Sequence, residues 1–138
     1  MEIKWSEPGK DEIELTLEMS EDSIQGVKYR CSGSLSFMNF SKEQIRNLKG
    51  PTKDLVAPEG NQPFEIIWRE LILTIKGQWE FPLKHDEVCH CRRVLGKTID
   101  RAIVYGAHSA EEVRKRTSAN TGCGTCLPDI KTLLELRL

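Results

Sequence analysis

Four of the five cysteines in this 138-residue chain lie in two tight pairs. The first pair is Cys89-His90-Cys91 and the second is Cys123-Gly124-Thr125-Cys126, with 31 residues between them. Thiolates arriving in two close pairs can wrap one compact metal centre. Zinc and iron–sulfur clusters both accept four thiolates. Structural zinc sites usually draw each ligand pair from a Cys-x(2–4)-Cys turn, and a Cys-x-Cys pair is tighter than that. In a [2Fe–2S] cluster each iron takes two thiolates, so two close pairs suit it well. Spacing therefore favours iron–sulfur and leaves a structural zinc module as the alternative.

The residues around the cysteines sharpen the choice. Val88-Cys89-His90-Cys91-Arg92-Arg93-Val94, Ala110 to Thr117 and Thr121-Gly122-Cys123-Gly124-Thr125-Cys126-Leu127-Pro128 together resemble the bacterioferritin-associated ferredoxin-like [2Fe–2S] domain. The same domain occupies the middle of NifU-type cluster-assembly proteins. The resemblance runs from about Val88 to Leu136. It implies a small helical fold with the cluster near one end, ligated by Cys89, Cys91, Cys123 and Cys126. His90 fills the variable place between the first two cysteines. Arg92 and Arg93 stand beside Cys91, where positive charge would favour a reduced cluster. Gly122 and Gly124 flank Cys123 and allow the backbone to approach the sulfurs closely.

Composition sets outer bounds. The chain is 38% hydrophobic and 30% charged, which marks a globular protein and not a disordered one. A net charge of −1 gives no reason to expect nucleic acid or an anionic membrane as partner. The opening Met1-Glu2-Ile3-Lys4-Trp5-Ser6 lacks the apolar core of a signal peptide, and no apolar run approaches a membrane span. Clustered cysteine pairs without a signal sequence are expected as metal ligands in a reducing cytoplasm.

The elements that must position these residues fall into an α+β part, residues 1–84, and a small all-helical [2Fe–2S]-binding part, residues 85–138. In the first part Ile13, Leu15, Leu17 and Met19 alternate with polar residues, the mark of a half-buried strand. Val27, Tyr29 and Cys31 alternate in a second strand, antiparallel to the first, and predict a small buried thiol at Cys31. Leu35 to Phe40 reads as a third strand or as an approach to a helix capped by Ser41, with Gln44 completing a capping box. Phe64, Ile67, Trp68, Leu71, Ile72 and Ile75 define one face of a helix. In the second part Thr98 is a candidate N-cap for a helix ending at Gly106, Ser109 starts a helix running to about Arg116, and Pro128 opens a last helix.

Residues 10–50 resemble, more distantly, the scaffold domain of NifU and IscU-type assembly proteins. The likeness rests on the alternating strand, on Val27-Lys28-Tyr29-Arg30 and on Gly33-Ser34. Serine stands at position 34 where that family has cysteine, and no cysteine occurs between Cys31 and Cys89. A domain of that kind without its cysteines has no ligand set with which to assemble a cluster.

No P-loop, dinucleotide fingerprint or His-Glu-x-x-His pattern is present. The expected function is therefore not enzymatic. It is a one-electron carrier or redox adaptor that works with a redox or iron–sulfur assembly protein. An accessory of cluster assembly or iron handling, storing or passing on the cluster, is the runner-up. The oligomeric state and the identity of the partner are open.

Overall fold

The computed structural model describes residues 1–81, 87–89, 94–117 and 127–138, with backbone alone for 87–89 and 94–96 and for Leu127. The chain divides into two compact units. One comprises Met1–Glu59 and Phe64–Trp79; the other comprises Gly60–Pro63 and Glu80–Leu138.

The first unit is built on a four-stranded antiparallel sheet in the order β1-β2-β3-β4. The strands are β1 (Glu2–Ser6), β2 (Glu12–Ser20), β3 (Ser23–Ser32) and β4 (Gly50–Pro51). The alternation in β2 is realised: Ile13, Leu15 and Leu17 are buried, while Glu12, Glu14, Thr16 and Glu18 face solvent. A two-residue loop, Glu21-Asp22, joins β2 to β3, and both residues have positive φ, 49° and 62°. That is the conformation a tight hairpin needs to match the twist of its strands.

β3 starts four residues before the Val27 alternation because of a bulge. Glu18 pairs with Gly26 and Met19 with Ile24, so Gln25 is the extra residue. A bulge slips the side-chain phase by one, and Ile24 therefore joins the buried face that Val27 would otherwise have been the first to mark. β1 supplies a further alternation, with Ile3 and Trp5 buried.

Two helices complete this unit. Helix α1 spans Leu35–Arg46, so Leu35 to Phe40 is helix and not strand. Its N-cap is Ser34, whose hydroxyl accepts from the Phe37 N–H at 3.2 Å. Ser41 is therefore no cap. It lies one helical turn beyond the buried Phe37 and is itself fully buried, its Oγ accepting from the Trp68 Nε1–H at 2.8 Å. The corner between β3 and α1 is fixed by Asp11, which accepts the Ser34 N–H at 2.9 Å. A Cβ at Gly33 would collide with the same carboxylate, so glycine is required there.

Helix α2 (Pro63–Ile75) carries the apolar stripe anticipated from its period, with Ile67, Trp68, Leu71, Ile72 and Ile75 buried together with Ile66. It ends in a Schellman turn: Gln78 N–H reaches Leu73 C=O at 2.8 Å, with Gly77 at φ 72°. Trp68 is fully buried. Trp68→Ala is expected to lower the stability of this unit by about 3–5 kcal/mol, measured by chemical unfolding followed by circular dichroism. A near-neutral result would contradict a core role.

The second unit is helical, with a short strand pair added. β5 (Glu87–Cys89) pairs antiparallel with β6 (Val94–Leu95), and helices α3 (Gly96–Val104), α4 (Ala110–Thr117) and α5 (Leu127–Arg137) follow. Ile99, Ile103, Ala107, Val113, Ile130 and Leu133 form its buried cluster, so all three helices share one small core. α3 starts at Gly96, two residues before Thr98, and ends where Ala107 N–H bonds Ala102 C=O at 3.0 Å around Gly106, whose φ is 113°. α4 begins as anticipated, with Ser109 Oγ accepting the Glu112 N–H at 3.2 Å.

Candidate metal centre

Each cysteine pair is tied by sequence to the helical core of the second unit. Cys89 is the last residue of β5 and pairs with Val94 of β6, which leads directly into α3. Cys126 immediately precedes Leu127, the first residue of α5. Cys123 and Cys126 lie in the connection between α4 and α5. Cys91, Cys123 and Cys126, with His90, Arg92, Arg93, Gly122 and Gly124, fall outside the described residues, as does the side chain of Cys89. Among the described residues no group of three or more His, Cys, Asp or Glu could hold a metal ion.

The helices that carry the cysteine stretches are fastened by a feature absent from the sequence-level expectations. Asp100 of α3 and Arg137 of α5 form a bidentate ion pair. Arg137 Nε donates to Asp100 Oδ1 and Arg137 Nη2 to Asp100 Oδ2, both at 2.7 Å. Each residue is only 2% exposed. Arg101 adds a third contact, Nη1 to Asp100 Oδ2 at 3.0 Å. The fork of a guanidinium matches a carboxylate in this way and fixes orientation as well as distance. The last turn of α5 is thus locked to the middle of α3. A second clamp joins α4 to the loop after α3, where Arg116 Nη1 donates to Tyr105 C=O at 2.8 Å.

Electrostatics at the start of α5 are mixed. The free N–H groups and positive dipole end of a helix favour negative charge near its N-terminus, and Cys126 is adjacent in sequence. Asp129 in the first turn takes up part of that field.

Cys31 belongs to the other unit and is half-buried, not fully buried. Among the described residues no strand pairs with the outer side of β3 at this point, and the thiol is partly open. Desolvation raises its pKa, the Lys42 ammonium pulls it down, and Asp11 pushes it up.

No helix among the described residues is long and apolar enough to cross a membrane. No curated protein and no solved structure matches the chain. Residues 87–126 contain four cysteines, the number of thiolates that the two irons of a [2Fe–2S] cluster require. That stretch falls within residues 87–135, which match the BFD-like [2Fe-2S] binding domain, and the cofactor of this segment is accordingly a [2Fe–2S] cluster.

Proposed function

We propose that the chain is a one-electron carrier or redox adaptor, with Cys89, Cys91, Cys123 and Cys126 as the cluster ligands. The match of residues 87–135 to a [2Fe–2S] binding domain supports this reading. When bound, such a cluster takes up and gives back a single electron. Cys89, Cys91, Cys123 and Cys126 would supply all four thiolates such a cluster takes from protein, which would leave no position for a substrate. The substrate reaction belongs to a partner, and this chain is not itself an enzyme. Arg92 and Arg93 next to Cys91 add positive charge, and the N-terminus of α5 next to Cys126 adds its dipole. Both stabilise added negative charge and so raise the potential. A reducing cytoplasm is the setting in which these thiols persist.

A carrier must survive repeated cycles. Chemical reduction is expected to bleach the visible bands and to produce the electron-spin signal of a mixed-valent [2Fe–2S] centre. Reoxidation should restore the bands with little iron lost. If reduction instead releases the cluster within one cycle, and an added apo-protein captures it, the chain is an accessory of cluster assembly and not a carrier.

A further inference from the structure

Among the described residues, β3 beyond Ile24 has no partner strand on its outer side, and the chemistry of that edge is asymmetric. β4 pairs with β3 only at Ser23 and Ile24, so among the described residues no strand lies beside β3 from Gln25 to Ser32. The direction of the backbone groups there follows from the other side of the sheet. Leu17 N–H reaches Met1 C=O at 2.8 Å, and the Met1 amino group reaches Leu17 C=O at 3.0 Å. Leu17 therefore points its polar backbone groups toward β1. Antiparallel ladders alternate residue by residue, so Thr16 and Glu14 point theirs toward β3, where they face Lys28 and Arg30. Val27, Tyr29 and Cys31 consequently turn their N–H and C=O groups outward, away from β2.

The side chains along this edge define what would fit. Lys28 and Arg30 project from the outer face of the sheet, both exposed. Neither forms an ion pair among the described residues: Glu14, opposite Arg30, is bridged to Lys4 at 3.3 Å. Glu18, the next acid along β2, lies over Gly26 toward the hairpin end. On the inner face Tyr29 sits between them in sequence with 45% of its surface exposed. A second copy of β3 is a poor occupant, because antiparallel self-pairing about Tyr29 sets Lys28 opposite Arg30 twice, and like charges directly opposite are destabilising. β2 already supplies the complementary pattern on the other side, with Glu14, Leu15 and Thr16 opposite Arg30, Tyr29 and Lys28.

We infer that the edge of β3 from Val27 to Cys31 is a docking site for an extended acidic segment of a partner protein, which adds to the sheet as a further strand. Its backbone pairs with the outward amides of Val27, Tyr29 and Cys31. Acidic residues two apart lie against Lys28 and Arg30, and an apolar residue between them lies on the exposed Tyr29 ring. The inference does not depend on the cluster, which belongs to the other unit.

The test uses the full-length protein and a short labelled peptide of alternating glutamate and valine. Binding by fluorescence anisotropy should weaken as salt rises. It should also be about tenfold tighter than for the lysine–valine counterpart, the scale of two exposed charge contacts changing sign. Amide hydrogen exchange should slow at Val27, Tyr29 and Cys31 on adding the acidic peptide, and the pair Lys28→Glu with Arg30→Glu should reverse the preference. Equal affinity for both peptides, or unchanged exchange at those amides, would overturn the proposal. So would protection without peptide: if it grows with protein concentration, the edge belongs to a second copy, and if it persists at all dilutions, the chain covers its own edge.

Discussion

Replacing any one of Cys89, Cys91, Cys123 or Cys126 with serine is expected to remove most of the bound iron and the visible colour. A serine hydroxyl remains protonated where a thiolate would bind, so one iron is left short of its second protein ligand. The loss should extend to the fold of the second unit. Among the described residues its buried cluster is Ile99, Ile103, Ala107, Val113, Ile130 and Leu133, and a small core of this kind leans on its metal for stability. The three tryptophans, Trp5, Trp68 and Trp79, all lie in the first unit. Their fluorescence should therefore keep its unfolding midpoint while the second unit loosens. Cys31→Ser should leave iron content nearly unchanged, because Cys31 lies on β3 in the first unit and not in the stretch that holds the paired cysteines. Equal iron loss from Cys31→Ser would defeat the ligand assignment.

Asp100→Asn is expected to destabilise the second unit by about 3–5 kcal/mol, since it strips a buried cation of its counter-charge. The asymmetry of the cluster of charges gives this a sharper form. Asp100 serves both Arg137 and Arg101, whereas after Arg137→Met it still has Arg101 at 3.0 Å. The arginine change should therefore cost less than the aspartate change. Replacing both with apolar residues of similar size should cost less than Asp100→Asn, because the more deeply buried of the two cations then goes together with its counter-charge. Loss of visible colour in urea reads out the second unit, and tryptophan fluorescence serves as the internal control. Equal midpoints for the wild type and Asp100→Asn would mean that the pair does not lock α3 to α5.

Much of this was legible in the sequence, and the gaps have physical causes. The period of Ile13, Leu15 and Leu17 and the stripe of α2 report burial directly, because one face of each element is consistently apolar. The start of α4 was readable from Ser109 because the capping interaction is local, three residues long. The start of α1 was misplaced since two serines, Ser34 and Ser41, offer the same chemistry. Only the tertiary partner of Ser41, the Trp68 indole, shows which of them is the cap. The early part of β3 was hidden by the bulge at Gln25, which breaks the alternation that a pattern search relies on. The Asp100–Arg137 pair joins residues 37 apart, and nothing local marks either as buried. The two cysteine pairs stand out by count and spacing before any element is assigned, while their assignment as ligands falls outside the described residues.

The ligand assignment and the carrier role both require that this chain hold a [2Fe–2S] cluster. Protein purified without oxygen should be coloured and show the visible absorption of such a cluster. It should contain iron and acid-labile sulfide in equal amounts, about two of each per chain. A colourless protein carrying one zinc and no sulfide would contradict the account.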